Sequence, residues 1–256
     1  MKNSVKKTEL SIQGALGSLY GILRIPENKE KLPLMIMSHG FGANLNSLEP
    51  YAVFFSEHGF AVYSYDFGGG GYAPNRSEGT MLQMSVLTEA KDLQSVLNHF
   101  KDDERFSSII LLGASQGGFV SAYEAAKNNS LIRALVLLYP AFVLQDDARK
   151  RMQADGTFPE QSHIFNWTVS RKYNEDAISF DIYNVIRDYH GPVLILHGDQ
   201  DPIVPLSYSK KAVSVFPDAR LIIMPGQGHG FNAEGDQEAC PKILEFLNTV
   251  LTDQKE

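Results

Sequence analysis

The chain has 256 residues, 43% hydrophobic and 21% charged, with 23 Lys and Arg against 30 Asp and Glu for a formal net charge of −7. That balance is ordinary for a globular protein, and it lacks the basic surplus of a nucleic-acid binder or of a protein that sits on an anionic membrane surface. The single cysteine, Cys240, excludes an intramolecular disulfide and any zinc site built on two cysteine ligands. No secretory apolar core opens the sequence and no run of about 18 apolar residues follows, so a cytoplasmic protein is expected, as a monomer or a simple oligomer such as a homodimer.

Residues 9–13 and 18–25 alternate apolar and polar side chains about Gly14 and Gly17, which predicts an antiparallel hairpin. A short apolar run over 34–37 predicts a buried strand, 48–58 a helix stopped by Gly59, and 61–65 a second buried strand. Regular structure must stop at Gly68-Gly69-Gly70-Gly71. Over 85–100, Val86, Leu87, Ala90, Leu93, Val96, Leu97 and Phe100 recur at helical spacing with one wet face. The run 108–112 is nearly all apolar, as suits a central parallel strand covered on both sides. A helix of small residues is predicted over 117–127 and a strand over 134–139. The rhythm breaks over 142–189, a charged stretch expected to be a helical, partly mobile insertion. It resumes with a strand at 192–197, a helix at 207–216, a strand at 220–224 and an amphipathic helix over 236–252; the last residues are expected to fray.

Strands alternating with helices imply a mainly parallel sheet with helices on both faces. Residues 1–140 and 190–256 are therefore expected to form one α/β core, with 141–189 inserted into it.

Gly113-Ala114-Ser115-Gln116-Gly117 matches G-x-S-x-G directly after the strand at 108–112 and directly before a helix. A tight strand-to-helix turn at that point pushes the serine hydroxyl out at the top of the sheet, and side chains at the flanking glycines would strike neighbouring backbone. The plainer alternative is a glycine-rich turn whose serine only caps the helix; the strand-then-helix context favours a nucleophile. A serine alcohol needs a base, and in this arrangement the order along the chain is serine, acid, histidine. Of the seven histidines, His229 lies in the glycine-rich loop 225–231 just past the last strand, where it can reach over the sheet's carboxyl edge. After the strand at 192–197 stands His197-Gly198-Asp199-Gln200-Asp201-Pro202-Ile203-Val204-Pro205. The G-x-x-D spacing from Gly198 selects Asp201 as the acid that orients the imidazole, and leaves Asp199 to hold backbone N–H groups in the turn. Developing negative charge on a substrate oxygen needs backbone donors, expected from Gln116 and from Phe41 in the loop Ser38-His39-Gly40-Phe41-Gly42, with His39 tying loops together.

Gly68, Gly70 and Ala73 also fit G-x-G-x-x-A, with Glu89 about twenty residues on, as in a dinucleotide fingerprint. A phosphate loop of that kind must open a helix at once, and Pro74-Asn75 and the polar stretch to Thr80 interrupt it. No cofactor and no metal are expected.

The motifs His39-Gly40-Phe41-x-Gly, Gly113-x-Ser115-x-Gly117, His197-Gly198-Asp199-Gln200-Asp201 and Gly228-His229, spread over nearly the whole chain, resemble those of the α/β-hydrolase superfamily and, more narrowly, the bacterial cinnamoyl (feruloyl) esterases. The resemblance implies an eight-stranded sheet, a lid inserted after the sixth strand at 141–189, and a serine carboxylic-ester hydrolase working through an acyl-enzyme on a small-molecule ester. In that family the lid carries an aspartate and a tyrosine that meet ring hydroxyls of hydroxycinnamate, and gapless counting places them on Asp146 and Tyr173. Phe142, Phe165 and Trp167 are further expected at the acyl pocket. The glycine turn 68–71 departs from the family's pattern. Two other readings compete: a serine peptidase of the prolyl-oligopeptidase type, which ordinarily carries a second gating domain, and a non-catalytic hydrolase-like binding module, against which an intact triad speaks.

Overall fold

A computed structural model describes residues 4–27, 31–72 and 74–252. The chain runs β1 (Val5–Gln13), β2 (Ser18–Pro26), β3 (Leu32–Ser38), a 3-10 turn (Leu45–Leu48), α1 (Glu49–Glu57), β4 (Ala61–Tyr65), α2 (Val86–Phe100), β5 (Phe106–Ala114), α3 (Gln116–Lys127) and β6 (Ile132–Leu138). There follow α4 (Leu144–Lys150), β7 (Gln161–Ile164), β8 (Trp167–Ser170), α5 (Arg171–Ile178), α6 (Ile182–Ile186), β9 (Val193–Gly198), α7 (Leu206–Val215), β10 (Ala219–Met224) and α8 (Ala233–Thr252).

Eight strands form one sheet in the order β1-β2-β4-β3-β5-β6-β9-β10. β2 pairs antiparallel with β1 and with β4, and every later neighbour is parallel. The two-residue period of the strands splits the core cleanly. Leu34, Ile36, Ile109, Leu111, Leu135 and Leu137 face α2, α3 and the base of α7; Met35, Met37, Ile110, Leu112, Val136 and Leu138 face α1 and α8. Because both sides are covered, the inner strands read as unbroken apolar runs. Truncating a residue such as Leu111 to Ala would cost roughly 2–5 kcal/mol.

α2 starts at Ser85, whose side chain and that of Thr88 cap each other's backbone reciprocally. Ser85 Oγ also donates to Asp176 Oδ2 at 2.5 Å, fastening α5 to the core.

The insertion follows the sixth strand, as expected, but it is not simply helical. β7 and β8 form an antiparallel hairpin in register Gln161↔Ser170 to Ile164↔Trp167, and Phe165 takes φ 52° in its turn. Four-residue strands of mixed polarity leave no apolar run to read, which is why the hairpin was not foreseen. Nor does the segment stand loose: Ile182, Ile186 and Tyr189 are fully buried in the main core.

The glycine run 68–71 serves close backbone packing. A Cβ on Gly69 (φ +85°) would lie 2.5 Å from the Thr80 carbonyl oxygen, and one on Gly71 (φ +134°) 2.0 Å from that of Ala43. Asp92 pins the loop by accepting the N–H groups of Ala15 at 2.7 Å and Gly68 at 2.9 Å. Ala73 and the final residues 253–256 lie outside the described residues. Among the described residues no helix is long and apolar enough to cross a membrane.

Candidate active site

Ser115 sits between β5 and α3 with φ 52° and ψ −119°, a conformation that costs a non-glycine residue about 1–3 kcal/mol and is held by its surroundings. Ser115 N–H donates to the Leu138 carbonyl at 2.9 Å, and the Ser115 carbonyl accepts from Ala141 N–H at 2.9 Å. The flanking glycines are obligatory. A Cβ on Gly113 would meet the Gly117 carbonyl oxygen at 2.4 Å, and one on Gly117 would meet those of Ser38 and His39 at 2.2 and 2.3 Å.

His229 and Asp201 reach the serine from two loops that are bound to each other. Gly198 carries no Cβ because one would lie 2.0 Å from the Gln227 carbonyl oxygen, and Gln200 N–H donates to that same carbonyl at 3.0 Å. Asp199 accepts Gly226 N–H at 2.7 Å, the turn-holding role foreseen for it. His229 Nε2 lies 2.8 Å from Ser115 Oγ, and Nδ1 lies 2.8 Å from Asp201 Oδ2. An ionised carboxylate only accepts, so Nδ1 carries the proton and Nε2 is left to accept from the serine hydroxyl. The Tyr139 ring stands edge-on to the imidazole at 5.0 Å.

The Asp201 side chain is fully buried yet amply satisfied. Oδ1 accepts the N–H groups of Ile203 at 2.9 Å and Val204 at 2.8 Å. Oδ2 faces a second imidazole besides His229: Nε2 of His197 stands 3.2 Å away. Burial pushes the Asp201 carboxyl upward, but hydrogen bonds from His197, His229 and Val204 N–H outweigh it and hold the group well below the usual carboxylate range. His197 is the partner that sequence reasoning missed. Its own ring is fixed by Ser209 Oγ at Nδ1, 2.7 Å, and by the Val204 carbonyl at Nε2, 2.8 Å. The signal available was its position four residues before Asp201.

The loop after β3 brings Phe41 beside the serine. His39 ties it down as expected, with Nδ1 against the Gly40 carbonyl at 2.8 Å and Nε2 accepting Phe67 N–H at 3.0 Å. Burial lowers the His39 pKa, keeping the ring neutral for both roles. Gln116 is the first residue of α3, so its N–H has no acceptor one turn back and points out with the helix's positive end.

A cavity of about 280 Å³ opens at Ser115 and His229. The core contributes Phe41, Gln116, Ile203 and Val204 to its wall, and the insertion contributes Val143, Leu144, Asp147, Arg151, Ile164, Phe165 and Tyr173. Tyr173 lies where it was expected, fully buried, but its hydroxyl is already committed: it donates to Gln116 Oε1 at 2.6 Å, while Gln116 Nε2 donates to Glu89 Oε2 at 2.8 Å. Glu89, fully buried on α2, is pushed up to about 8 by burial.

Asp146 is not brought to the cavity. It accepts from the Tyr208 hydroxyl at 2.7 Å and pairs with Arg149 at 2.8 Å, while its neighbour Asp147 lines the wall. One residue along a helix is a turn of about 100°, so an error of one in counting exchanges inside for outside. Phe142 and Trp167 are likewise elsewhere. Phe142 is buried in the main core, and Trp167 borders a separate recess, with its indole N so near Gly42 that a Cβ there would approach it to 2.3 Å. Among the described residues, no group of three or more His, Cys, Asp or Glu side chains could hold a metal ion.

A strained serine at a strand-to-helix turn, met over the carboxyl edge of an eight-stranded sheet by loops after β9 and β10, defines an α/β-hydrolase. Known proteins agree. The family model described as serine aminopeptidase, S33, matches residues 29–185, and one described as TAP-like protein matches 166–256. The chain belongs to the first of these families, within the α/β-hydrolases. Over 220 residues it is 24% identical to the uncharacterized protein YfhR of Escherichia coli O157:H7, covering 85% of this chain and 70% of that protein. Over 249 residues it is 22% identical to a putative esterase/lipase of Haemophilus influenzae, covering 84% and 83%. Est1E from Butyrivibrio proteoclasticus, solved with ferulic acid bound, superposes with a TM-score of 0.86 at 24% identity over 95% of this chain and 99% of that one. Mouse alpha/beta hydrolase domain-containing protein 10 gives 0.76 at 20% identity over 96% and 99%.

Proposed function

We propose that the protein is a serine carboxylic-ester hydrolase with Ser115 as nucleophile, His229 as general base and acid, and Asp201 as the group that orients it. The observation that carries this reading is the unbroken pair of 2.8 Å contacts from Ser115 Oγ through His229 to Asp201 Oδ2. Ser115 Oγ bonds to the ester carbonyl carbon as His229 Nε2 takes its proton. The resulting oxyanion is held by the N–H groups of Phe41 and Gln116. The carbon–oxygen bond to the alcohol breaks, and His229 returns the proton to the departing oxygen. Water then attacks the acyl-enzyme through the same base and releases the acid. All of this runs on side chains and backbone of the chain itself.

Residues 141–189 act in this reading as a lid that walls the acyl pocket. Est1E binds ferulic acid, which makes hydroxycinnamoyl esters, with short-acyl esters, the first acyl groups to test. The family's description as a serine aminopeptidase favours a second reading, cleavage of an amide. Both are decided by one panel of methyl hydroxycinnamates, short-acyl esters and an aminoacyl amide, assayed on the wild type and on Ser115→Ala. We expect ester turnover in the wild type and a loss of roughly 10⁴–10⁶ in kcat on Ser115→Ala with an unchanged melting profile. Turnover of the amide alone would establish the peptidase, and full activity in the variant would remove Ser115 from the chemistry.

A further inference from the structure

If the cavity holds an acyl group, the chemistry of its wall specifies the far end of that group; this inference rests on the ester-hydrolase reading. Most polar groups on the wall are already spent. The Tyr173 hydroxyl donates to Gln116, the Gln116 amide donates to Glu89, and Ser115 and His229 are the reacting pair. Arg151 is different. Its Nε donates at 2.7 Å to Oδ1 of Asn174, a fully buried amide whose orientation is fixed because its Nδ2 donates to Ser162 Oγ at 3.1 Å. Its Nη2 is shut off from solvent and has no hydrogen-bond partner.

The charge also lacks an ion-pair partner, although Asp147 acts on it from a distance. Asp147, one turn back and also on the wall, is drawn off to Lys150 at 2.8 Å, and no carboxylate among the described residues forms an ion pair with Arg151. A buried donor on a charged group is costly to leave unmade, and the fork of a guanidinium matches a carboxylate; Arg151 lines the cavity, and a ligand reaches Nη2 when the side chain turns toward it. The same wall carries the apolar Val143, Leu144 and Ile164, which suits an alkyl spacer.

We infer that the pocket takes a short acyl chain ending in a carboxylate, a half-ester of a dicarboxylic acid, and that Arg151 is the specificity-determining residue that receives it. The test compares kcat/KM for monomethyl glutarate with that for methyl valerate, which has a similar chain without the charge. In the wild type the half-ester should be preferred, and Arg151→Met should cut that preference by about 10- to 100-fold. If Arg151→Met does not fold, Arg151→Gln, which keeps an N–H for Asn174, carries the same comparison. A wild-type preference for methyl valerate, or a ratio unmoved by the substitution, would overturn the inference. Calorimetry of monomethyl glutarate binding to the Ser115→Ala protein, with and without the Arg151 substitution, separates the two readings. Binding that depends on Arg151 without ester turnover sinks the hydrolase and keeps the anion site. Turnover of both esters, with no Arg151-dependent binding, does the reverse.

Discussion

The two sides of the cavity are built by different means. On the core side, backbone touches backbone: Gly113, Gly117 and Gly198 each stand where a Cβ would come within 2.5 Å of a carbonyl oxygen. The geometry there is dictated by the main chain, and the side chains it presents have one place to go. On the insertion side, short helices and a hairpin hold their positions through side chains. Gln145 reaches the carbonyls of Ala177 and Phe180, Asn174 joins Ser162 to Arg151, and Tyr173 meets Gln116. A site framed by main-chain contact tolerates few residue types, whereas a wall held by side chains can be rebuilt by substitution. In the proposed function, chemistry belongs to the first side and selectivity to the second.

The sharpest way to break this division is Asp201→Asn. The amide keeps an acceptor for the N–H groups of Ile203 and Val204, but its NH₂ faces His229 Nδ1 and drives the imidazole into the wrong tautomer. We expect kcat to fall by about 10⁴ with little change in melting temperature; a loss below tenfold would mean that the acid does not orient the base.

Glu89 lies where the two sides join, and its effect is on stability. Burial pushes its carboxyl up to about 8 in the folded state, against an ordinary value near 4.5, so between those values the folded state binds the extra proton. Stability should therefore fall as pH rises from about 5 to 8, by an amount on the order of a few kcal/mol, and Glu89→Gln should flatten that slope. Chemical denaturation of both proteins across this range checks the sign; parallel curves would show that Glu89 does not supply it.

Tyr173→Phe tests the insertion side. It leaves Gln116 Oε1 without its donor, so we expect a loss of about 1–2 kcal/mol in stability and a shift in acyl selectivity larger than any change in kcat for an acetate ester. Equal losses on all esters would make Tyr173 part of the framework instead of the selective wall. The smallest effect is expected from Asp146→Asn, which touches only Tyr208 and Arg149: activity within about twofold of wild type on every ester, and stability within about 0.5 kcal/mol, as for an exposed pair.

The same division explains what could be read from the chain. Ser115, His229, Asp201 and the sheet around them were legible because the glycines that permit their loops are themselves visible in the sequence, and because buried parallel strands are apolar throughout. Asp146 and Trp167 were misplaced because a four-residue strand and a seven-residue helix carry no periodicity long enough to fix their phase, and Phe142, in the turn before α4, has no period at all. Arg151 was read only as part of the charged run 146–151, and Glu89 only as part of the dinucleotide pattern that was set aside: charges read as surface until tertiary neighbours close over them. His197 sat in plain view, but only the fold turns a strand-end histidine back toward an acid four residues ahead.

The doubling of imidazoles on Asp201 has a dynamic consequence. In the proposed reaction His229 gives its Nε2 proton to the departing alcohol while Nδ1–H stays on Asp201; were the ring to swing aside to admit water, a carboxylate sealed from solvent would lose that donor. Here the inner ring stays put, clamped by a hydroxyl and a carbonyl, and keeps a proton beside that anion throughout the cycle. In the proposed reaction that clamp would let the outer ring move between serine, leaving group and water without the protein having to re-solvate the charge it leaves behind.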